Sequence, residues 1–100
     1  MNIAIDFDGV IIKREGIPTD SRWNDDPMWG ALETIILLKS LGHNVWVFTS
    51  NPELRKVREW MSAHEFPKLK VTNKKIPAHI YIDDRAIRFT NWQDIRKYFG

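Results

Sequence analysis

The sequence predicts an α/β fold: a single Rossmann-like, three-layer domain built on a small parallel sheet. Three observations carry this expectation. The apolar runs Ile3-Ala4-Ile5, Val45-Trp46-Val47-Phe48 and Ala78-His79-Ile80-Tyr81-Ile82 alternate with longer stretches of helical periodicity, the pattern of βαβ units joined by right-handed crossovers. The runs are apolar at consecutive positions, as in strands covered on both faces. Each one ends in acids or small hydroxyl residues: Asp6-Phe7-Asp8, Thr49-Ser50 and Asp83-Asp84. Open parallel sheets bind ligands at the carboxyl ends of their strands, so a single topology would gather these groups at one edge.

A chain of 100 residues suffices for one domain, 1–100, with one core. A hydrophobic fraction of 43% and five Trp fit a globular chain rather than a disordered one. The absence of Cys excludes a disulfide framework and any thiolate metal site. The amino terminus enters the first strand without a basic segment or a long apolar run. Neither a signal peptide nor a membrane span is therefore expected, and a cytoplasmic location is. A net charge of +2, spread without blocks, suits a phosphate ester or nucleic acid but singles out neither.

Along the chain, Asp6 and Asp8 stand at i and i+2, on one side of a strand that ends there. Gly9 lets the backbone leave the sheet. Two carboxylates held together repel, and desolvation disfavours both ions. A divalent cation is the simplest compensation; acids that merely cap a following turn are the alternative. Residues 10–27 read as a hairpin or irregular flap turning at Arg14-Glu15-Gly16, then a polar loop whose Asp20, Asp25 and Asp26 are solvated or capping. Trp23 covers either that loop or the site.

A helix is expected over 28–41, capped by Asp26 with Pro27 at its first position and stopped by Gly42. Trp29, Leu32, Ile35, Ile36, Leu37 and Leu38 give it a broad apolar face. A second helix starts from the capping-box pair Ser50 and Glu53 and runs to about His64, with Leu54, Val57 and Met61 inward. His64 satisfies its carboxyl end. Trp60 is the best candidate for an exposed contact, whereas Trp29, Trp46 and Trp92 read as core. Residues 69–72 suit a short edge strand and 73–77 a loop. Thr90-Asn91-Trp92-Gln93 has capping-box spacing, and Trp92, Ile95 and Phe99 then make the inner stripe of a closing helix.

The strand ends together offer carboxylates, a hydroxyl and nearby lysines. Oxygen ligands without His or Cys favour a hard cation, Mg2+ above all, and a lysine beside a helix amino terminus favours phosphate. The chemistry permitted is phosphoryl transfer through an aspartate nucleophile. Asp6 would attack phosphorus, and Asp8 would serve as general acid and then base. Thr49 and a lysine would hold the phosphoryl oxygens, helped by backbone N–H groups around Phe7 and Asn51.

Asp6-Phe7-Asp8-Gly9-Val10, Thr49 after its strand, a loop lysine and Ile82-Asp83-Asp84 resemble, in order, the four motifs of the haloacid dehalogenase-like (HAD) phosphohydrolases. The resemblance spans nearly the whole chain. It implies a central first strand, Asp6 as nucleophile, Asp8 as acid/base, and Mg2+ held by Asp6, the Asp8 carbonyl and the Asp83/Asp84 pair, with Asp84 favoured. Lys75 matches the family's lysine best and Lys74 is the alternative; Gly9, Ser50 and Arg85 join the substrate-binding set. Residues 10–27 leave room for a flap only, which implies a capless member with an open site suited to large substrates, or with a lid supplied by a partner or a second protomer. Asp83-Asp84-Arg85 before a Trp-bearing helix is also similar to the phosphatase domain of polynucleotide kinase/phosphatases, which implies a nucleic-acid 3′-phosphate. The competing readings are a phosphotransferase and a non-catalytic binding or regulatory module.

Overall fold

The structure, a computed structural model, describes residues 1–13 and 23–100. Strands β1 (Asn2–Ile5), β2 (Asn44–Phe48), β3 (Lys70–Thr72) and β4 (Ile80–Ile82) form one parallel sheet in the order β3-β2-β1-β4. Helices α1 (Ala31–Ser40) and α2 (Leu54–Ala63) connect β1 to β2 and β2 to β3, and α3 (Trp92–Lys97) follows β4. This is the expected Rossmann-like α/β plan, with the first strand central. No helix among the described residues is long and apolar enough to cross a membrane.

Register explains the core. Ile3 pairs with Val45, Ile5 with Val47, and Val47 with Val71, so these five side chains share one face. All five are buried, against Ile35 of α1 and Val57, Trp60 and Met61 of α2. Each such burial contributes roughly 1.5–3 kcal/mol. On the other face Trp46, Phe48 and Tyr81 are half-buried. Phe48 and Tyr81 meet edge to face at 5.7 Å, Lys70 Nζ lies 4.8 Å from the centre of the Trp46 ring, and the Tyr81 hydroxyl donates to the Ile76 carbonyl. Aromatic side chains and a loop dress that face. The expected third layer is not built by the described residues, because α3 buries no residue at all.

The closing helix is therefore a correction: Trp92 and Phe99 are exposed rather than inward, and Ile95 is only partly covered. Its cap is displaced by one residue from Thr90. Asn91 Oδ1 accepts the Asp94 N–H at 2.9 Å, while the Thr90 hydroxyl donates to the Asp94 carboxylate.

Helix α1 begins three residues later than expected. Pro27 is engaged in an antiparallel bridge with Ile12, and the Asp26 carbonyl accepts the Lys13 N–H at 2.7 Å, so this pair staples the base of the flap instead of capping a helix. Gly30, at φ 83°, takes the N-cap position. Only Ile35 of the apolar face is fully buried; Ile36, Leu37 and Trp29 are exposed. The expected turn at Arg14-Glu15-Gly16, and Asp20, lie outside the described residues. Trp23 faces the interior, its ring 6.1 Å from Phe7.

In α2 the expected inward residues Val57 and Met61 are buried. The capping box is not formed: Glu53 is the N-cap with no side-chain bond to the helix end, and Asn51 Oδ1 accepts the Glu53 N–H at 2.9 Å. Trp60 is the other correction. At i+3 from Val57 it belongs to the inner stripe and is 4% exposed. Its ring meets Phe7 edge-on at 5.3 Å, and its Nε1–H donates to the Asp25 carbonyl at 3.1 Å. His64 does satisfy the last turn, with Nδ1 2.9 Å from the Trp60 carbonyl.

Trp60→Ala is expected to cost about 3–5 kcal/mol in urea unfolding, the range for a large aromatic removed from a core. A loss below about 1 kcal/mol would place the ring at the surface.

Candidate active site

The site grows out of the pairing of β1 with β4. The ladder continues one residue past β1, where the Asp6 N–H donates to the Ile82 carbonyl at 2.9 Å. Asp6 is thereby fixed beside the strand end from which Asp83 and Asp84 emerge. One carboxylate oxygen from each of Asp6, Asp83 and Asp84 lies within 4.8 Å of the others. Asp6 is half-buried and the other two are exposed.

Gly9 makes this approach possible. It adopts φ 81°, and a Cβ built there would lie 2.7 Å from Asp84 Oδ2. The Asp84 carboxylate thus occupies the space that any other side chain at position 9 would need. Asp83 Oδ1 also accepts the Arg85 N–H at 2.7 Å.

Burial and three neighbouring acids shape the charge of Asp6. Burial, followed by repulsion from Asp83, Asp8 and Asp84, pushes its carboxyl up to about 6, although the Phe7 N–H donating to Asp6 Oδ1 at 2.8 Å works in the opposite direction. The Phe7 side chain itself is core.

The end of β2 lies beside that of β1. The Thr49 N–H donates to the Thr72 carbonyl at 2.9 Å, and its buried Oγ1 accepts the Asn51 N–H at 3.1 Å. Ser50 points out to solvent. Asn51 is buried, and its Nδ2 has no hydrogen-bond partner among the described residues. A buried donor left unmade costs about 1–3 kcal/mol, and an incoming acceptor such as a phosphoryl oxygen would satisfy it. Sequence reasoning valued Asn51 for its backbone; the side-chain amide emerges only from burial.

Both candidate lysines are exposed. Lys75 Nζ lies 5.5 Å from the centre of the Tyr81 ring, and the Lys74 backbone N–H donates to Thr72 Oγ1. Among the described residues neither pairs with Asp6, Asp83 or Asp84. The structure thus brings together Asp6, Asp83, Asp84 and the Gly9 turn, sets Asp8 close enough to repel Asp6, and holds Thr49 and Asn51 one strand over.

The charge on Asp6 has a consequence for stability. An Asp with an ordinary value near 3.8 ionises before the folded one, so the contribution of Asp6 to folding declines as pH rises from about 4 through 6. In EDTA, Asp6→Asn is expected to raise Tm at pH 7.5 and to lose most of that gain by pH 4. An equal gain at both pH values would refute this origin.

No protein-family model matches the chain. A segment of 50 residues, 47% of the chain, is 38% identical to an Oceanobacillus iheyensis protein named "Putative nucleotidase", and the match covers 27% of that protein. The matched segment therefore spans about a quarter of the relative's length. The fold is similar to the solved structure of a conserved protein from Bacteroides thetaiotaomicron. The TM-score is 0.69 over 99% of this chain and 88% of that one, at 23% identity. At that identity the likeness concerns the fold.

Proposed function

We propose that the chain is a Mg2+-dependent phosphomonoester hydrolase of the HAD type that works through an aspartyl-phosphate on Asp6. The observation that carries this reading is the convergence of the Asp6, Asp83 and Asp84 carboxylates at the ends of adjacent parallel strands. Their mutual repulsion and all-oxygen donor set fit a hard divalent cation. Asp6, the Asp8 carbonyl and Asp84 would hold Mg2+, with Asp83 as the alternative to Asp84; the approach of Asp84 to the Gly9 turn favours that order. When bound, Mg2+ supplies charge neutralisation between carboxylate and phosphate and in the transition state.

In this reading the Asp6 carboxylate attacks phosphorus, and the ester P–O bond breaks. Asp8 gives its proton to the leaving oxygen. The resulting Asp8 carboxylate then takes a proton from the water that attacks phosphorus, freeing Asp6 and inorganic phosphate. Thr49, Lys75 or Lys74, and the unpartnered Asn51 amide hold the phosphoryl oxygens. The Phe7 and Asn51 N–H groups are engaged by Asp6 Oδ1 and Thr49 Oγ1, so within this site they orient those two side chains. The name of the Oceanobacillus relative supports a nucleoside monophosphate as the substrate class.

The test is release of phosphate from an aryl phosphate, nucleoside monophosphates and a 3′-phosphorylated oligonucleotide, with Mg2+ and with EDTA. Turnover is expected only with Mg2+, and Asp6→Asn is expected to lower it by about 10^3 or more. Turnover that survives EDTA or the substitution would contradict the mechanism. Saturable Mg2+ binding without turnover on any substrate would favour a non-catalytic module.

A further inference from the structure

The chain carries an unfilled apolar groove and, separately, an unburied apolar segment. The groove, of about 290 Å3, runs between α1 and the edge strand β4 and is lined by Val10, Trp29, Ala31, Ile35, Leu38 and Ile82. Trp29 at its rim is 96% exposed. The segment is the carboxyl-terminal stretch that contains α3, where Phe89, Trp92, Tyr98 and Phe99 are all exposed, Trp92 at 71% and Phe99 at 80%. Phe89 and Trp92 already pack on each other, 5.4 Å between ring centres, without entering the core. A six-residue helix that buries nothing has little stability of its own.

We propose that a second copy of this chain covers both features. The α3 segment of one protomer seats against the α1–β4 groove of its partner, and the exchange is reciprocal about a two-fold axis. Two considerations select this occupant. A two-fold interface needs both complementary surfaces on the same chain, and both are present here. The area is also of the right size. At about 200 Å2 per aromatic side chain, the exposed parts of Trp29, Phe89, Trp92, Tyr98 and Phe99 leave on the order of 700 Å2 uncovered, close to the ~800 Å2 that each partner contributes to a standard interface. β4 is moreover an edge of the sheet, and no described strand pairs along its outer side.

Sedimentation equilibrium of the full chain tests it. The expected result is a species of twice the 11.8 kDa chain mass that dissociates on dilution. The double variant Trp92→Ser, Phe99→Ser removes two aromatic anchors, so its dissociation constant should rise tenfold or more. Both residues lie outside the core, so the far-UV circular dichroism of the double variant should stay unchanged. Trp29→Ser, on the groove side, should weaken association in the same direction. A monomer at every concentration would overturn the proposal. So would a dimer that neither variant weakens.

Discussion

The structure depends above all on the parallel pairing of β1 with β4. That pairing carries the Asp6 N–H to the Ile82 carbonyl and so brings together acids 77 positions apart in the chain, Asp6 and Asp83. Nothing local makes these carboxylates neighbours. The buried stripe of Ile3, Ile5, Val45 and Val47 fixes the register of β1 on β2, because a slip by one residue would turn every one of those side chains to the wrong face. The backbone ladder from Ile3–Ile80 to Ile5–Ile82 then holds β4 and its acids beside Asp6.

Several features at the strand ends oppose stability. The Asp6 carboxyl is pushed up to about 6 by burial and by its acidic neighbours. The Asn51 side-chain Nδ2 is buried without a partner among the described residues. Such departures concentrate where a ligand is to be bound. A divalent cation would relieve the first, and a phosphoryl oxygen would satisfy the last. The proposed chemistry and the local instability thus have the same source.

The sheet was legible in the sequence because buried strands leave an unambiguous record: Ile3-Ala4-Ile5 and Val45-Trp46-Val47-Phe48 became β1 and β2 where expected. Strand-end acids were legible for the same reason, since a strand end followed by Asp-x-Asp-Gly has few other uses. Helix phase was harder. Trp60 read as lying on the outer or lateral side of its helix, yet its spacing from Val57 carried it inward. Asp26-Pro27 has the composition of a helix start, but tertiary pairing with Ile12 and Lys13 claimed it. In the closing helix, Trp92 and Phe99 have the spacing of an inner stripe. Periodicity reports only that a face is apolar, not what covers it. The Asn51 amide left no trace in the sequence, because its unmet donor is a property of burial.

The most direct measurement is calorimetric titration of the protein with Mg2+ at pH 6 in two buffers of different ionisation enthalpy. With the Asp6 carboxyl at about 6, roughly half of it is protonated at that pH, and a cation shared by the three carboxylates must displace that proton. Saturable one-site binding with release of about half a proton is expected. Absence of saturable binding, or binding without proton release, would contradict the claim that these carboxylates form a cation site.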